Sequence, residues 1–562
     1  MTPAPANGWR QTAVLFRHFF QRLVVGESVL FEENRRESVI FQAVGLMVFG
    51  LLASHELYKK YYFLPDLDPR GCWFEMLLFF TLAMTLSGII AVLHWEYLFL
   101  DRLDQLNLEP LPIPRARLAL AKFLALFAGI GIVTAVFALP AVLIFQHYVG
   151  WRLGPPAWRN GAAYLLALLL ANALVFLGVA ACQGVLFILF SGNLLRRLAI
   201  STQFLLLIGF ISVFAWFPQV IPRLEEWRGT GYPFLRAFPP YWLQCLGSHW
   251  SHLPAPPASD QHRLILPALA VTLGLYLACL GAQALSRGQG VQSFTAGSGS
   301  ARGPRSGWPR LARLLLPGPF DRGLTSFFIR TLRRGRKQKV QFLLVFTFPL
   351  AFAITQWVHL ATFPEGRAGA VSALAAIPLY LHAFLLIGIR QALRIPGGSQ
   401  AHFVFQLTAP ADPGRVQRGL DRAILLTAQL PLTLLLAALL APWWGLVAAV
   451  RYNLYALTAA VVLQKCLFYS FLRFPFCSNY VPEEFKFKVF WPFYLLVFAT
   501  GLELFLWVGL WVIDRTRGFL WTVGVLLLLG ALVQAGRRRS RRDQDLVFDE
   551  DPEPVMMELG LD

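Results

Sequence analysis

Two acids three positions apart, Asp101 and Asp104, open the segment DRLDQLNLEPLPIPRARLALAKF (101–123), which runs through prolines into Arg115, Arg117 and Lys122. Carboxylates in a first helical turn suit the helix dipole. Each proline fixes its own φ and restricts the residue before it, and long cationic chains beside an apolar run reach up to the interface. With Leu100, Leu103, Leu106 and Leu108 alternating against Asp101, Arg102, Asp104 and Gln105, the pattern predicts a short, stiff amphipathic helix. Its chemistry is mechanical and electrostatic: it can dock a partner or pass on a force. A capped, solvated loop is the plainer alternative.

Other ionisable residues sit inside apolar runs, where charge is costly and marks candidate functional positions. Lys465 and Glu503 are the clearest. A buried ion pair between them requires a common depth, yet Lys465 lies nearer the inner end of its run and Glu503 nearer the outer end of its own. Snorkelling or access to water is the other reading. His94 and Glu96 close a run beside the acidic segment and read as interfacial. His249, His252 and His262 have no metal-ligand rhythm, so no metal site is expected. The six cysteines show no CxxC spacing and imply neither a metal nor a redox framework. There is no G-x-x-x-x-G-K-[ST] phosphate loop, HExxH or nucleophile elbow, so the chain is expected neither to hydrolyse ATP nor to act as an enzyme.

The elements that carry these residues follow from composition. The chain has 562 residues, 56% hydrophobic and 14% charged, with mean hydropathy +0.55. Soluble domains carry about 25% charged residues, and runs of about 20 apolar residues suit membrane helices. A β-barrel would alternate instead. About twelve spans are expected, near 38–57, 74–97, 118–147, 161–190, 199–219, 264–285, 340–360, 370–390, 423–441, 452–472, 488–512 and 518–536. The formal charge of +19 gathers at one set of span ends, in RTLRRGRKQK (330–339) and RRRSRR (537–542) above all. That distribution predicts both termini on the cytoplasmic side and a lipid bilayer, not nucleic acid, as the partner.

The organisation expected is therefore an all-α polytopic membrane protein of two parallel six-helix repeats. An amphipathic N-terminal segment (1–37) precedes a first six-span unit (38–285). A Gly/Ser/Pro/Arg-rich linker (286–326), a second unit (327–536) and a basic-then-acidic tail (537–562) follow. Each half opens with a basic juxtamembrane segment, and in each a Pro-rich polar connection follows the second span, at 101–117 and 394–422. The aromatic- and proline-rich segment 216–250 is read either as helices dipping into the outer leaflet or as an ordinary loop.

The acidic amphipathic turn, the Leu111–Pro112 pair, and the basic residues ahead of AK at the start of a span resemble the cytoplasmic loop of ABC-exporter permeases. These are the six-span class that exports polysaccharides, drugs and peptides. The N-terminal helix resembles the connecting helix of that family, and FPPYWL (238–243) its outer re-entrant element. The resemblance implies that Asp101, Asp104, Leu111, Pro112 and Lys122 belong to a coupling helix seated on a separate ATPase subunit. That subunit would bind ATP and Mg, with no cofactor on this chain, and the location would be a bacterial cytoplasmic membrane. In the second half RIPGGSQAHFVFQLTAP (394–410), with Pro396, Phe403 and Phe405, occupies the equivalent loop. It is similar to a form in double-length members and has aromatics in place of the acidic turn, so the two loops are not equivalent seats. An ion-coupled secondary transporter and a membrane scaffold without transport remain open readings of the residues themselves.

Overall fold

In lipid a backbone finds no water to bond, and long apolar runs close their hydrogen bonds within themselves as helices. The computed structural model describes residues 8–25, 47, 72–95, 98, 108, 113–153, 157–226, 237–251, 259–285, 318–362, 367–395, 413–469, 471, 474–476, 500–512 and 515–540, and among these there is no strand. The chain divides into two compact units, Met1–Ser300 and Ala301–Asp562.

The first unit comprises α1 (Gly8–Val25), α2 (Cys72–Leu93), α3 (Arg115–Leu153), α4 (Ala157–Leu189), α5 (Gly192–Glu226), α6 (Pro239–Ser251) and α7 (Ile265–Leu285). Its centre is α4, which packs against α2, α3, α6 and α7, while α2 also lies along α5. Small residues permit the approach: Ala167 and Ala171 of α4 are fully buried with Phe79, Phe80 and Ala83 of α2 and Ala138 and Ala141 of α3. A polar knot crosses the same three helices. Ser87 donates to the Asn172 side-chain carbonyl and shares a hydrogen bond with Thr134 at 3.0 Å.

The second unit comprises α8 (Pro319–Arg334), α9 (Arg336–Thr362), α10 (Arg367–Arg394), α11 (Pro413–Ile424), α12 (Leu430–Trp444), α13 (Leu446–Leu467), α14 (Thr500–Val512) and α15 (Thr516–Ser540). Here α13 is central, packing on α10, α12 and α15. Two tyrosines of α13 bury their rings and still find acceptors. Tyr452 donates to the Ala375 carbonyl at 2.6 Å and Tyr455 to the Phe505 carbonyl at 2.7 Å, which ties α10 and α14 to the hub. A π turn at Leu425–Gln429, in which Leu430 N–H reaches the Leu425 carbonyl, joins α11 to α12. Pro431 explains it: its ring crowds the carbonyl four residues back and offers no N–H, and a wider turn relieves both.

Among the described residues nine helices are long and apolar enough to cross a membrane: Met76–Leu93, Arg117–Leu143, Trp158–Leu189, Arg197–Pro218, Gln338–Leu360, Leu374–Arg394, Gly414–Trp444, Leu446–Leu467 and Thr516–Ser540. This is a multi-pass helical membrane protein. Two more of the twelve expected spans fall on shorter apolar helices, His262–Ala278 and Thr500–Val512. The first, 38–57, lies outside the described residues apart from Met47.

The α2–α5 crossing supplies a test. A Cβ on Gly88 would lie 2.5 Å from the Phe210 ring, whereas one on Gly209 meets nothing within 4 Å. Overpacking costs about 1–3 kcal/mol, so Gly88→Ala lowers the melting temperature of the detergent-solubilised protein and Gly209→Ala does not; equal melting of both would refute close α2–α5 packing.

Candidate functional site

In each unit polar ties collect at the loop end, where α2 leads through 99–112 to α3 or α10 through 396–412 to α11. In the first unit α1 lies across the foot of α3. Leu15 and Phe19 are buried there against Leu118, Ala121 and Ala125, with Leu108 and Ile113 packed alongside. Arg117 donates to the Gln11 side-chain carbonyl at 2.8 Å. Lys122 is 5% exposed, and its ammonium stands 5.7 Å from the centroid of the Phe19 ring. A buried cation over an aromatic face recovers part of its lost hydration. The end of α2, whose last carbonyls have no partner within the helix, is held by two amides: Gln203 donates to the Val92 carbonyl at 3.1 Å and Gln183 to the Trp95 carbonyl at 2.9 Å.

The second unit repeats this theme with other residues. Helix α8 packs on α11 through Leu324, Val416 and Phe474. Arg415 stands over the Phe320 ring at 5.3 Å, and Arg422 pairs with Asp321 at 2.7 Å. The end of α10 is again held: Gln338 donates to the Ile395 carbonyl at 3.2 Å and the Phe476 N–H to the Leu393 carbonyl at 2.9 Å.

Beside it lies a latch without a counterpart among the described residues of the first unit. Arg537, 1% exposed, donates to Asp421 of α11 at 3.0 Å and to the Phe468 carbonyl, at the end of α13, at 2.9 Å. Gln417 donates to the same carbonyl at 2.9 Å. Gln464 donates to the Asp421 carboxylate at 3.1 Å and accepts from Gln429 at 3.1 Å. Further along, Thr433 has one hydroxyl proton and two acceptors within reach, the Gln429 carbonyl at 2.8 Å and His382 Nε2 at 3.0 Å. His382 Nδ1 donates to the Pro378 carbonyl at 2.8 Å, since a carbonyl only accepts. A polar file thus runs from His382 in the interior of α10 to Arg537 at the loop end.

Of the residues singled out from sequence, Lys122 lies in the α1–α3 foot. Asp101, Asp104, Leu111, Pro112, Pro396, Phe403 and Phe405 lie outside the described residues. Lys465 and Glu503 are apart: Lys465 donates to the Gly530 carbonyl of α15 at 3.2 Å, and Glu503 accepts from Tyr380 at 3.4 Å. The depth argument thus favours separate partners for the two. His249 and His262 stack ring on ring at 4.7 Å, and among the described residues no group of three or more His, Cys, Asp or Glu is placed to hold a metal. The latch residues Asp421, Gln464 and Arg537 were missed. Their signal was available in part, because Gln417, Asp421, Gln429 and Thr433 recur at multiples of four along one run. An α-helix drifts off such a stripe, and the π turn helps keep it facing one way. Arg537, the first of three consecutive arginines, gave no sign that it alone turns inward.

Compared with known protein families, with curated proteins and with solved structures, the chain matches none.

Removing one partner of a buried pair strands the other and costs about 3–5 kcal/mol, whereas replacing both by apolar residues does not. Arg537→Met and Asp421→Leu each destabilise the protein, and the double variant melts above either single one. Additive losses in thermal melts would show that the pair is not coupled.

Proposed function

We propose that this chain is the membrane-spanning permease subunit of an ATP-driven ABC-type exporter, two six-span units fused in one chain with both termini cytoplasmic. A separate ATPase subunit seats at 98–114 and 394–410, and the substrate moved is amphipathic or lipid-like. The observation that carries the reading is the recurrence, at both loop ends, of one mechanical arrangement. An amphipathic helix braces the foot of the third span through a cation over a phenylalanine ring, and neighbours hold the last carbonyls of the second span. A force applied to a loop between two free helix ends frays them. Applied between two braced ends, it moves the spans as bodies. The second and third spans both pack on the fourth, in each unit, so the movement passes inward. The chain's own part is to bind, brace and transmit; ATP chemistry belongs to the partner.

The polar file in the second unit favours a second reading, an ion-coupled transporter. Were His382 protonated, Nε2 would become a donor and the Thr433 proton would turn to the Gln429 carbonyl. Proteoliposomes energised by a proton gradient or by ATP with the ATPase separate the two readings.

The test of the first is association. Purified from its native membrane, the chain brings with it a protein bearing a phosphate loop. Asp104→Arg, which turns an acid of the proposed coupling helix into a cation, abolishes both that association and the stimulation of ATP hydrolysis by the permease. If no ATPase accompanies the wild-type chain and Asp104→Arg changes nothing, the coupling proposal fails.

A further inference from the structure

Helix α14 lies on the hub of its unit by one face. Leu502, Gly509 and Val512 are buried there, Tyr455 donates to the Phe505 carbonyl at 2.7 Å, and a Cβ on Gly509 would lie 2.9 Å from the Tyr452 ring. The other face carries Glu503, Leu504, Trp507 and Trp511, all exposed. Glu503, Trp507 and Trp511 follow at i, i+4 and i+8 and so form one stripe along the helix. Among the described residues the one side-chain partner of Glu503 is Tyr380 of α10, whose hydroxyl donates to the carboxylate at 3.4 Å. That is long for an O–H···O bond and correspondingly weak. Tyr380 lies inside the candidate span Leu374–Arg394, and its ring stacks on Phe352 of α9 at 5.0 Å. A carboxylate at the depth of a membrane span is costly without a counter-charge. Among the described residues no lysine, arginine or histidine supplies one.

We propose that Glu503 anchors a binding site for a lipophilic cation, an ammonium-like charge carried on an apolar body. The ligand supplies the positive charge that the carboxylate lacks within the chain. The rings of Tyr380 and Trp507, on either side of that carboxylate in the fold and in the helix, offer π faces that attract a weakly hydrated cation. The chain already seats a cation on the next ring of the stripe, where the Arg515 guanidinium stands 5.8 Å from the centroid of Trp511. Exposed Leu504 beside Glu503 suits the apolar body of the ligand. A hard metal ion fits less well, because it takes about six or more oxygen ligands and this site offers one carboxylate and one phenol. That the cation is the cargo rests on the exporter reading; that the site binds it does not.

The full-length protein in neutral detergent is dialysed to equilibrium against radiolabelled tetraphenylphosphonium and, separately, against tetraphenylborate, an anion of the same shape. The wild type binds the cation saturably, above the level of empty micelles, and binds the anion about tenfold or more weakly. Glu503→Gln, nearly isosteric and at an exposed position, melts with the wild type and binds the cation about tenfold or more weakly. Glu503→Asp keeps the charge and keeps the preference for cation over anion. Trp507→Leu removes a ring face and weakens the cation about threefold. Undiminished cation binding by Glu503→Gln, or equal wild-type affinity for the two ions, overturns the proposal and leaves Glu503 a protonated acid. The dialysis contains neither nucleotide nor ATPase. A missing cation site therefore leaves the association test of the exporter reading as it was, and a missing ATPase leaves the cation site standing.

Discussion

The carbonyl of Phe468 ends the central helix of the second unit, and two side chains from different helices converge on it: the Arg537 guanidinium and the Gln417 amide. A helix terminus leaves carbonyls without partners, and inside a bundle water does not supply them, so the surrounding helices must. That requirement sets where α11 and α15 can lie relative to α13. It also explains why an arginine is nearly fully buried, since Asp421 neutralises the charge that the carbonyl alone could not. The same necessity acts at the end of α2, through Gln183 and Gln203, and at the end of α10, through Gln338 and Phe476. Apolar surface holds these helices in lipid with little preference for one neighbour over another. The few obligatory polar ties choose the neighbours.

Seen this way, the central helix of each unit, α4 or α13, is a hub for two reasons at once. It is small along its contact stripe, with Ala167 and Ala171 in α4 and Ala456, Ala459 and Ala460 in α13, all buried, so neighbours approach closely. It is also polar at chosen points, with Asn172 and Gln183 in one and Tyr452, Tyr455 and Gln464 in the other. The helices α2 and α3 pack on the first hub, and α10 and α12 on the second. The latch makes the second unit stiffer at its loop end than ring contacts alone would. The π turn at 425–429 sits directly above that latch, where a helix bends most readily.

How much of this was legible beforehand differs from residue to residue. The brace at the foot of α3 was partly visible, because an aromatic, arginine-bearing N-terminal helix and a lysine heading an apolar run are strong one-dimensional signals; α1 and Lys122 meet. Charges within apolar runs drew attention to Lys465 and Glu503, and both have partners, but backbone or tyrosine groups rather than each other. Asp421 and Arg537 escaped because each stands in a charged cluster at a span boundary, DRA and RRRS, where an outward-facing role is the ordinary expectation.

From the sequence alone came the class of molecule, the run of apolar helices and most of their limits, because exclusion of backbone from lipid acts on each segment independently and needs no knowledge of the others. The amphipathic character of α1 and the absence of a phosphate loop are equally local facts. Tertiary structure decided which helix each polar side chain turns towards, and therefore which charges are paired and which carbonyls are capped. Those choices depend on partners more than a hundred positions away, as with Asp421 and Arg537. Helix periodicity specifies only the direction in which a side chain leaves its own axis; what it meets there is settled by packing.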